Sequence, residues 1–116
     1  MPIVDVTYAS TVSDATLRRL AELLPAIVGE ALACPEEPRT GPPAVGDMEI
    51  RFRPSGPMDV GDLDCIIEVR TKLFQSRIRN KDERVTSIKD KLLEAGLGLN
   101  QLGVWLILSE GSWAQS

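Results

Sequence analysis

The sequence predicts an α+β domain in which a β-α-β unit occurs twice and forms a four-stranded sheet with two helices on one face. The strand-like segment PIVDV (2–6) is matched in kind by CIIEV (65–69). An amphipathic helical pattern and a further strand-like segment follow each of them. The 116 residues suit a single domain, 1–116, with repeats at about 2–54 and 64–109.

The first unit opens with a strand at residues 3–8, where apolar and polar side chains alternate. The segment STVSDATLRRLAELLPAIVGEALACP then predicts an amphipathic helix with Ser13 as its N-cap. An interior proline usually bends a helix, so we expect a bend at Pro25. Pro35 is expected to end this element.

A proline- and glycine-rich loop is predicted at residues 35–46, and the strand MEIRFRP follows it. The alternation in this strand separates an inward face (Met48, Ile50 and Phe52) from an outward face (Glu49, Arg51 and Arg53).

The second unit begins with the strand CIIEVRTK (65–72), and LFQSRIR (73–79) is predicted to be a loop that carries two arginines. The segment NKDERVTSIKDKLLEAGLG predicts the second amphipathic helix. Asn80 and Glu83 have the spacing of a capping box at its start. The last predicted strand is VWLILS (104–109).

Each strand–helix–strand connection makes its two strands parallel and puts the helix on one face of the sheet. The opposite face is then uncovered, although Trp105 or its neighbours lie on it. Exposed apolar area of this kind indicates self-association.

The composition narrows the possible functions. There are 13 basic and 17 acidic residues, so a basic nucleic-acid surface is not expected. Without an apolar run near 20 residues or a signal peptide pattern, we expect a cytoplasmic protein that does not engage a membrane. The absence of histidine excludes Ser-His-Asp triads, Cys-His dyads and histidine zinc sites, and no metal or cofactor is predicted. Cys34 and Cys65 are expected to be buried free thiols.

Four features together resemble the tautomerase superfamily. They are MPIVDV at the start, the two β-α-β units, the arginine-bearing segment before the second helix, and VWLILSEGSWAQS at the end. The superfamily includes 4-oxalocrotonate tautomerase, 5-carboxymethyl-2-hydroxymuconate isomerase and macrophage migration inhibitory factor. The length is similar to that of the two-repeat members, which implies a homotrimer with pockets between subunits.

The resemblance implies that Pro2 is the catalytic residue, with its amine exposed by removal of Met1. An α-amino group titrates at about 8 in water. Apolar surroundings or nearby cations disfavour its charged form, and the amine then becomes a usable general base. The implied substrate is a small carboxylate, and no cofactor is needed.

Arginine binds a carboxylate through two parallel hydrogen bonds and stays charged, so arginines are the candidate substrate-binding residues. Either Arg77 or Arg79 corresponds to the arginine that the muconate isomerase carries before its second helix, and both remain open. The remaining substrate-binding candidates are Arg51 and Arg53 on one strand, with Phe74, Trp105 and Trp113 as apolar walls.

Two functions are therefore predicted. The first is a tautomerase or isomerase that moves a proton on a small unsaturated 2-oxo or 2-hydroxy acid, with Pro2 as general base. The alternative is a non-catalytic trimeric interaction protein that uses the acidic loop containing Glu36, Glu37 and Asp47. Retention of Met1 favours the alternative, because Pro2 then has no free amine.

Overall fold

A computed structural model of the chain describes residues 2–37 and 48–116. Met1, Asp47 and most of the predicted 35–46 loop lie outside these residues. The four strands are β1 (Ile3–Tyr8), β2 (Glu49–Pro54), β3 (Cys65–Lys72) and β4 (Leu102–Ser109). The helices are α1 (Asp14–Leu32), α2 (Gln75–Arg79) and α3 (Lys81–Glu94).

The strands form one mixed sheet in the order β2-β1-β3-β4. β1 is parallel to β2, and β3 is parallel to β4, as the two β-α-β units require. The units meet in the middle through antiparallel pairing of β1 with β3, in which Ile3 lies opposite Arg70 and Tyr8 opposite Cys65. The predicted α+β class and the four-stranded sheet are confirmed.

The core lies between one face of the sheet and the two long helices. Alternate residues of the central strands point into it, because successive side chains of a strand face opposite sides. Burying each large aliphatic side chain contributes about 1.5–3 kcal/mol, so these positions fix the register of the sheet. Residues without measurable exposure include Val4, Val6, Ile67 and Val69 of the sheet, Leu20, Leu24 and Val28 of α1, and Ile88 of α3.

The predicted start of α1 is confirmed. The Oγ atom of Ser13 accepts a hydrogen bond from the backbone N–H of Thr16 at 3.2 Å and so satisfies one of the free donors at the helix end. The helix continues through Pro25 to Leu32. The bend expected at Pro25 stays a prediction.

Two predictions for the second unit are wrong. LFQSRIR is not a loop throughout, because residues 75–79 form the short helix α2, with the N–H groups of Arg77 and Ile78 bonded to the carbonyl of Phe74. The capping box is also absent, since the Asn80 side chain makes no cap. Asn80 lies at the junction of α2 and α3, and its Oδ1 accepts a hydrogen bond from Arg84 Nε at 2.6 Å instead.

The expectation for the two cysteines is confirmed. Cys34 and Cys65 are free and buried, and burial raises the pKa of the Cys65 thiol to about 11. Such a thiol is not a nucleophile near neutral pH. Among residues 2–37 and 48–116, none of the helices combines the length and apolar character needed to cross a bilayer.

Candidate active site

Pro2 precedes β1 directly and is held beside β2, because its carbonyl accepts a hydrogen bond from the N–H of Glu49 at 3.1 Å. Its ring is partly exposed and lines a cavity of about 60 Å³. The other lining residues come from the end of α1, the turn after it, and α2; they are Gly29, Leu32, Ala33, Glu37 and Arg77.

Arg77 is 3% exposed and is held by main-chain and hydroxyl oxygens. Its Nε donates to the carbonyl of Leu32 at 3.0 Å. Its Nη1 donates to the carbonyl of Lys72 at 2.9 Å and to Thr71 Oγ1 at 3.3 Å. Nη2 has no hydrogen-bond partner within the described part of the chain. Of the guanidinium nitrogens of Arg77, which lines the cavity, Nη2 is therefore the one without a partner among residues 2–37 and 48–116.

The floor of this cavity is the carboxyl end of α1, where helix carbonyls lack partners within the helix. Arg84 of α3 donates from Nη1 to the carbonyls of Ala31 and Ala33, both at 2.9 Å. With Arg77 on Leu32, two guanidinium groups thus occupy three consecutive carbonyls. Because the helix end carries partial negative charge, these cations also stabilise it.

A second cavity of about 370 Å³ adjoins the first, since Glu37 lines both. It lies where β1 begins and where β3 and β4 end, and the chain after β4, including Trp113, lines one side. Its remaining lining residues are Ile3, Arg70, Thr71, Lys72, Ser109, Gly111 and Ser112. This cavity is large enough for a small organic acid, whereas the first accommodates little beyond the reacting group.

The cationic side chains around the second cavity differ in whether their charge is already paired with carboxylates of the protein. Arg70 donates to Asp5 Oδ2 at 2.6 Å and to Glu68 Oε2 at 2.8 Å, so two carboxylates offset its charge. Lys72 Nζ lies 5.5 Å from the centre of the Phe74 ring, and the guanidinium of Arg77 lies 5.1 Å from the same centre. Both contacts are within the range of a cation–π interaction.

The turn that carries Glu37 is fixed to α2. Ser76 Oγ donates to Glu36 Oε1 at 2.6 Å, and the Ser76 N–H donates to Oε2 at 3.3 Å. The hydrogen bond from the Ser76 hydroxyl is the main reason that the pKa of Glu36 is lowered. The N–H of Glu37 donates to the carbonyl of Cys34 at 3.2 Å, which closes the turn.

A wider groove of about 600 Å³ runs along the solvent side of α3, but it lacks the chemistry of the Pro2 region. Four of its seven lining residues are acidic: Asp82, Glu83, Asp90 and Glu94. Its one basic residue, Lys91, is paired with Glu30 at 3.0 Å. Within the described residues, no group of three or more potential ligands is arranged to hold a metal ion. The two cavities at Pro2 are therefore the candidate active site.

No family profile and no curated protein matches this sequence, whereas solved structures match it along nearly its whole length. A malonate semialdehyde decarboxylase, FG41, is 18% identical, with a TM-score of 0.67 over 97% of this chain and 89% of that one. A fused 4-OT described as a symmetric trimer is 13% identical, with a TM-score of 0.65 over 92% and 85%. The MIF2 protein of Leishmania major is 14% identical, with a TM-score of 0.63 over 97% and 93%.

The chain has the tautomerase-superfamily fold. In this tautomerase fold, three of the predicted site residues come together. Pro2 and Arg77 line the small cavity, and Trp113 lines the adjoining one. Of the two arginines that the sequence left open, Arg77 is the one beside Pro2.

The other predicted site residues lie elsewhere within one subunit. Arg79 is exposed at the end of α2, on the side of Glu36. Arg51 and Arg53 are exposed on β2, and Arg53 lies 3.8 Å from Asp5. Trp105 is 64% exposed on the open face of the sheet, and Phe74 contacts the two cations from outside the cavity linings.

Sequence reasoning missed three residues of this region. Glu37 was assigned only to an acidic contact loop, yet it lines both cavities. Lys72 was treated as the last residue of a strand, yet it lines the larger cavity. Arg84 was treated only as a charged residue of the second helix, yet it donates hydrogen bonds to carbonyls at the end of α1, more than 50 positions away in sequence. Of these three residues, only Lys72 could have been suspected from the sequence, because the alternation of β3 puts it on the same face as Arg70.

Proposed function

We propose that the chain is a cytoplasmic, cofactor-free tautomerase or isomerase that moves a proton on a small unsaturated 2-oxo or 2-hydroxy carboxylic acid. The observation that carries this proposal is that Pro2 and the buried Arg77 line one cavity, which adjoins a second cavity of suitable size for such an acid. Removal of Met1 exposes the secondary amine of Pro2 at that position.

The chemistry needs a base and a group that stabilises developing negative charge. The neutral amine of Pro2 takes a proton from a carbon next to a carbonyl, and the electrons move onto the carbonyl oxygen as an enolate forms. The uncommitted Nη2 of Arg77 is a donor for that oxygen or for the substrate carboxylate. The resulting ammonium of Pro2 then returns the proton to another carbon of the conjugated system.

Turnover by protein of verified N-terminus tests the proposal. Intact mass should show that Met1 is absent, and phenylenolpyruvate and 2-hydroxymuconate should then be converted to their oxo forms above the spontaneous rate. Lack of conversion of both by protein without Met1 would contradict the proposal. Retention of Met1 in the native protein would favour the non-catalytic interaction protein.

One observation favours a second candidate function. Glu37 lines both cavities, so its carboxylate is a candidate to hold or activate a water molecule between them. A carboxylate that activates water suits the addition of water to an unsaturated acid, so a hydratase is the second candidate. Hydration of a 2,3-unsaturated acid, lost in Glu37→Gln, distinguishes it from the tautomerase.

We also propose that the chain forms a homotrimer through the open face of the sheet. Ile66 and Trp105 are 37% and 64% exposed on this face, and Leu63 beside them is 41% exposed. In a three-fold ring, each subunit contributes two different surfaces, so the open sheet face of one subunit contacts a different surface of its neighbour. The charged side chains of Asp5 and Arg53, which lie near the exposed apolar residues of this face, can then contact charged or polar groups of that neighbour.

Replacing Trp105 by glutamate is expected to convert the trimer to monomer, because a carboxylate would be buried in an apolar contact. Light scattering coupled to size exclusion measures the mass directly. The matched control is Leu93→Glu, since Leu93 is 45% exposed on α3 rather than on the sheet. A Trp105→Glu protein with unchanged mass, or a wild-type monomer, would contradict the trimer.

A further inference from the structure

Arg84 of α3 uses all three nitrogens of its guanidinium to bind other parts of the protein. Nη1 donates to the carbonyls of Ala31 and Ala33, both at 2.9 Å. Nη2 donates to the carbonyl of Ser76 at 3.3 Å, and Nε donates to Asn80 Oδ1 at 2.6 Å. This one half-buried side chain therefore joins α3 to the carboxyl end of α1 and to α2.

The contacts of Arg84 surround those of Arg77. The carbonyl that accepts from Arg77 Nε belongs to Leu32, which stands in the chain between the two α1 residues that accept from Arg84. The α2 carbonyl that accepts from Arg84 belongs to Ser76, which precedes Arg77 directly. Arg84 thus holds both the main chain that carries Arg77 and the main chain that Arg77 binds.

The same main chain forms part of the wall of the small cavity. Leu32 and Ala33 line it together with Pro2 and Arg77. The helix α2 has only five residues, and Phe74 at its start makes no side-chain cap. A helix this short has little stability of its own. The place of Arg77 in the cavity therefore depends on contacts that α2 makes with neighbouring segments.

We propose that Arg84 is a positioning residue, which holds α2 against the end of α1 and so fixes where Nη2 of Arg77 lies in the cavity with Pro2. For turnover, this inference rests on the proposed function, because it concerns the same site. Arg84 is outside the linings of both cavities, so it acts through Arg77 and not on the substrate. Capping of α1 would need only the two α1 carbonyls, whereas the bond to Ser76 adds a link to α2.

Exchange of the Arg77 Nε–H with water tests this link without any substrate. The proton is bonded to the Leu32 carbonyl in a buried region, so its signal in ¹⁵N-labelled protein should exchange slowly; its absence from Arg77→Lys assigns it. In Arg84→Met its exchange rate should rise about tenfold or more relative to the backbone amides of β3, as expected for a local opening. The control Leu20→Ala truncates a buried residue in the first half of α1, which lowers global stability, and should not raise that ratio.

Turnover of phenylenolpyruvate gives the second readout. Misplacing a group by about 1 Å can cost about 10²-fold in rate, so Arg84→Met should lower kcat about 10- to 10²-fold and keep KM within about threefold of wild type. In an Arg77→Lys background the same change should lower kcat by about twofold at most, because two residues that act through one another are not additive. Leu20→Ala should keep the wild-type kcat below its unfolding transition.

Arg84→Lys guards against a methionine variant that does not fold. It keeps a cation near the end of α1, where the helix carries partial negative charge. A single ammonium cannot reach the acceptors in α1 and α2 together, so the expected direction of both measurements is the same.

The two readouts can fail separately. Exchange of the Arg77 Nε–H that does not rise relative to β3 in the Arg84 variants would overturn the proposal, and so would additive losses of kcat in the double variant. A protein that converts neither test substrate but shows the faster exchange would lose the proposed function and keep Arg84 as the residue that positions Arg77. A protein that turns over phenylenolpyruvate with unchanged exchange would keep the function and lose this inference.

Discussion

Replacing Pro2 by alanine in protein without Met1 is expected to lower kcat by about 10²- to 10⁴-fold, the usual contribution of a positioned general base. Alanine leaves a primary amine at the same backbone position, but it removes the secondary amine and the ring that lines the cavity with Arg77. The fold should be preserved, because the hydrogen bond that the Pro2 carbonyl accepts from the N–H of Glu49 does not need the ring.

Three proteins measured side by side make this result decisive. Pro57→Ala changes an exposed proline in the connection between β2 and β3 and should retain full activity. A protein that keeps Met1 has an amide nitrogen at Pro2 and should be inactive, while circular dichroism shows it folded. A Pro2→Ala enzyme with unchanged kcat would show that another group is the base, and Glu37, the carboxylic acid in the lining of the same cavity, would then be the candidate.

The sequence predicts the sheet and the long helices because these elements repeat a pattern that packing requires. Alternation places Val4, Val6, Ile67 and Val69 on one face, and the same residues are fully buried. The internal match of PIVDV with CIIEV predicts that each unit has the same plan. Pairing of β1 with β3 is antiparallel, and no local pattern specifies it, since it arises where the two units share one sheet.

The short helix and the cation network could not be read from local patterns. α2 has five residues, fewer than two helical turns, so no apolar period distinguishes it from a loop. Asn80 has the spacing of a capping residue, but its side-chain oxygen accepts a hydrogen bond from Arg84 instead of capping the helix. Arg77 and Arg84 bind carbonyls contributed by distant segments, so the sequence identifies their charge and the fold shows what they contact.

Replacing Arg77 by methionine is expected to cost about 3 kcal/mol or more of the free energy of unfolding. Methionine fills much of the volume, but the carbonyls of Leu32 and Lys72 and the hydroxyl of Thr71 lose their donor in a buried region. Each buried acceptor left without a partner costs about 1–3 kcal/mol. Urea unfolding followed by circular dichroism measures the loss, and the matched control Arg79→Met, at an exposed position of the same helix, should stay within about 0.5 kcal/mol of wild type.

The lysine variant separates the structural contribution of Arg77 from its proposed contribution to catalysis. In Arg77→Lys the charge remains, but one ammonium cannot reach the oxygens of Leu32, Thr71 and Lys72 and also serve a ligand. We therefore expect intermediate stability together with a loss of kcat/KM that persists below the unfolding transition. Full activity in folded Arg77→Lys, combined with loss of activity in Arg79→Met, would transfer the substrate-binding role to Arg79 and restrict Arg77 to holding the end of α1 against β3.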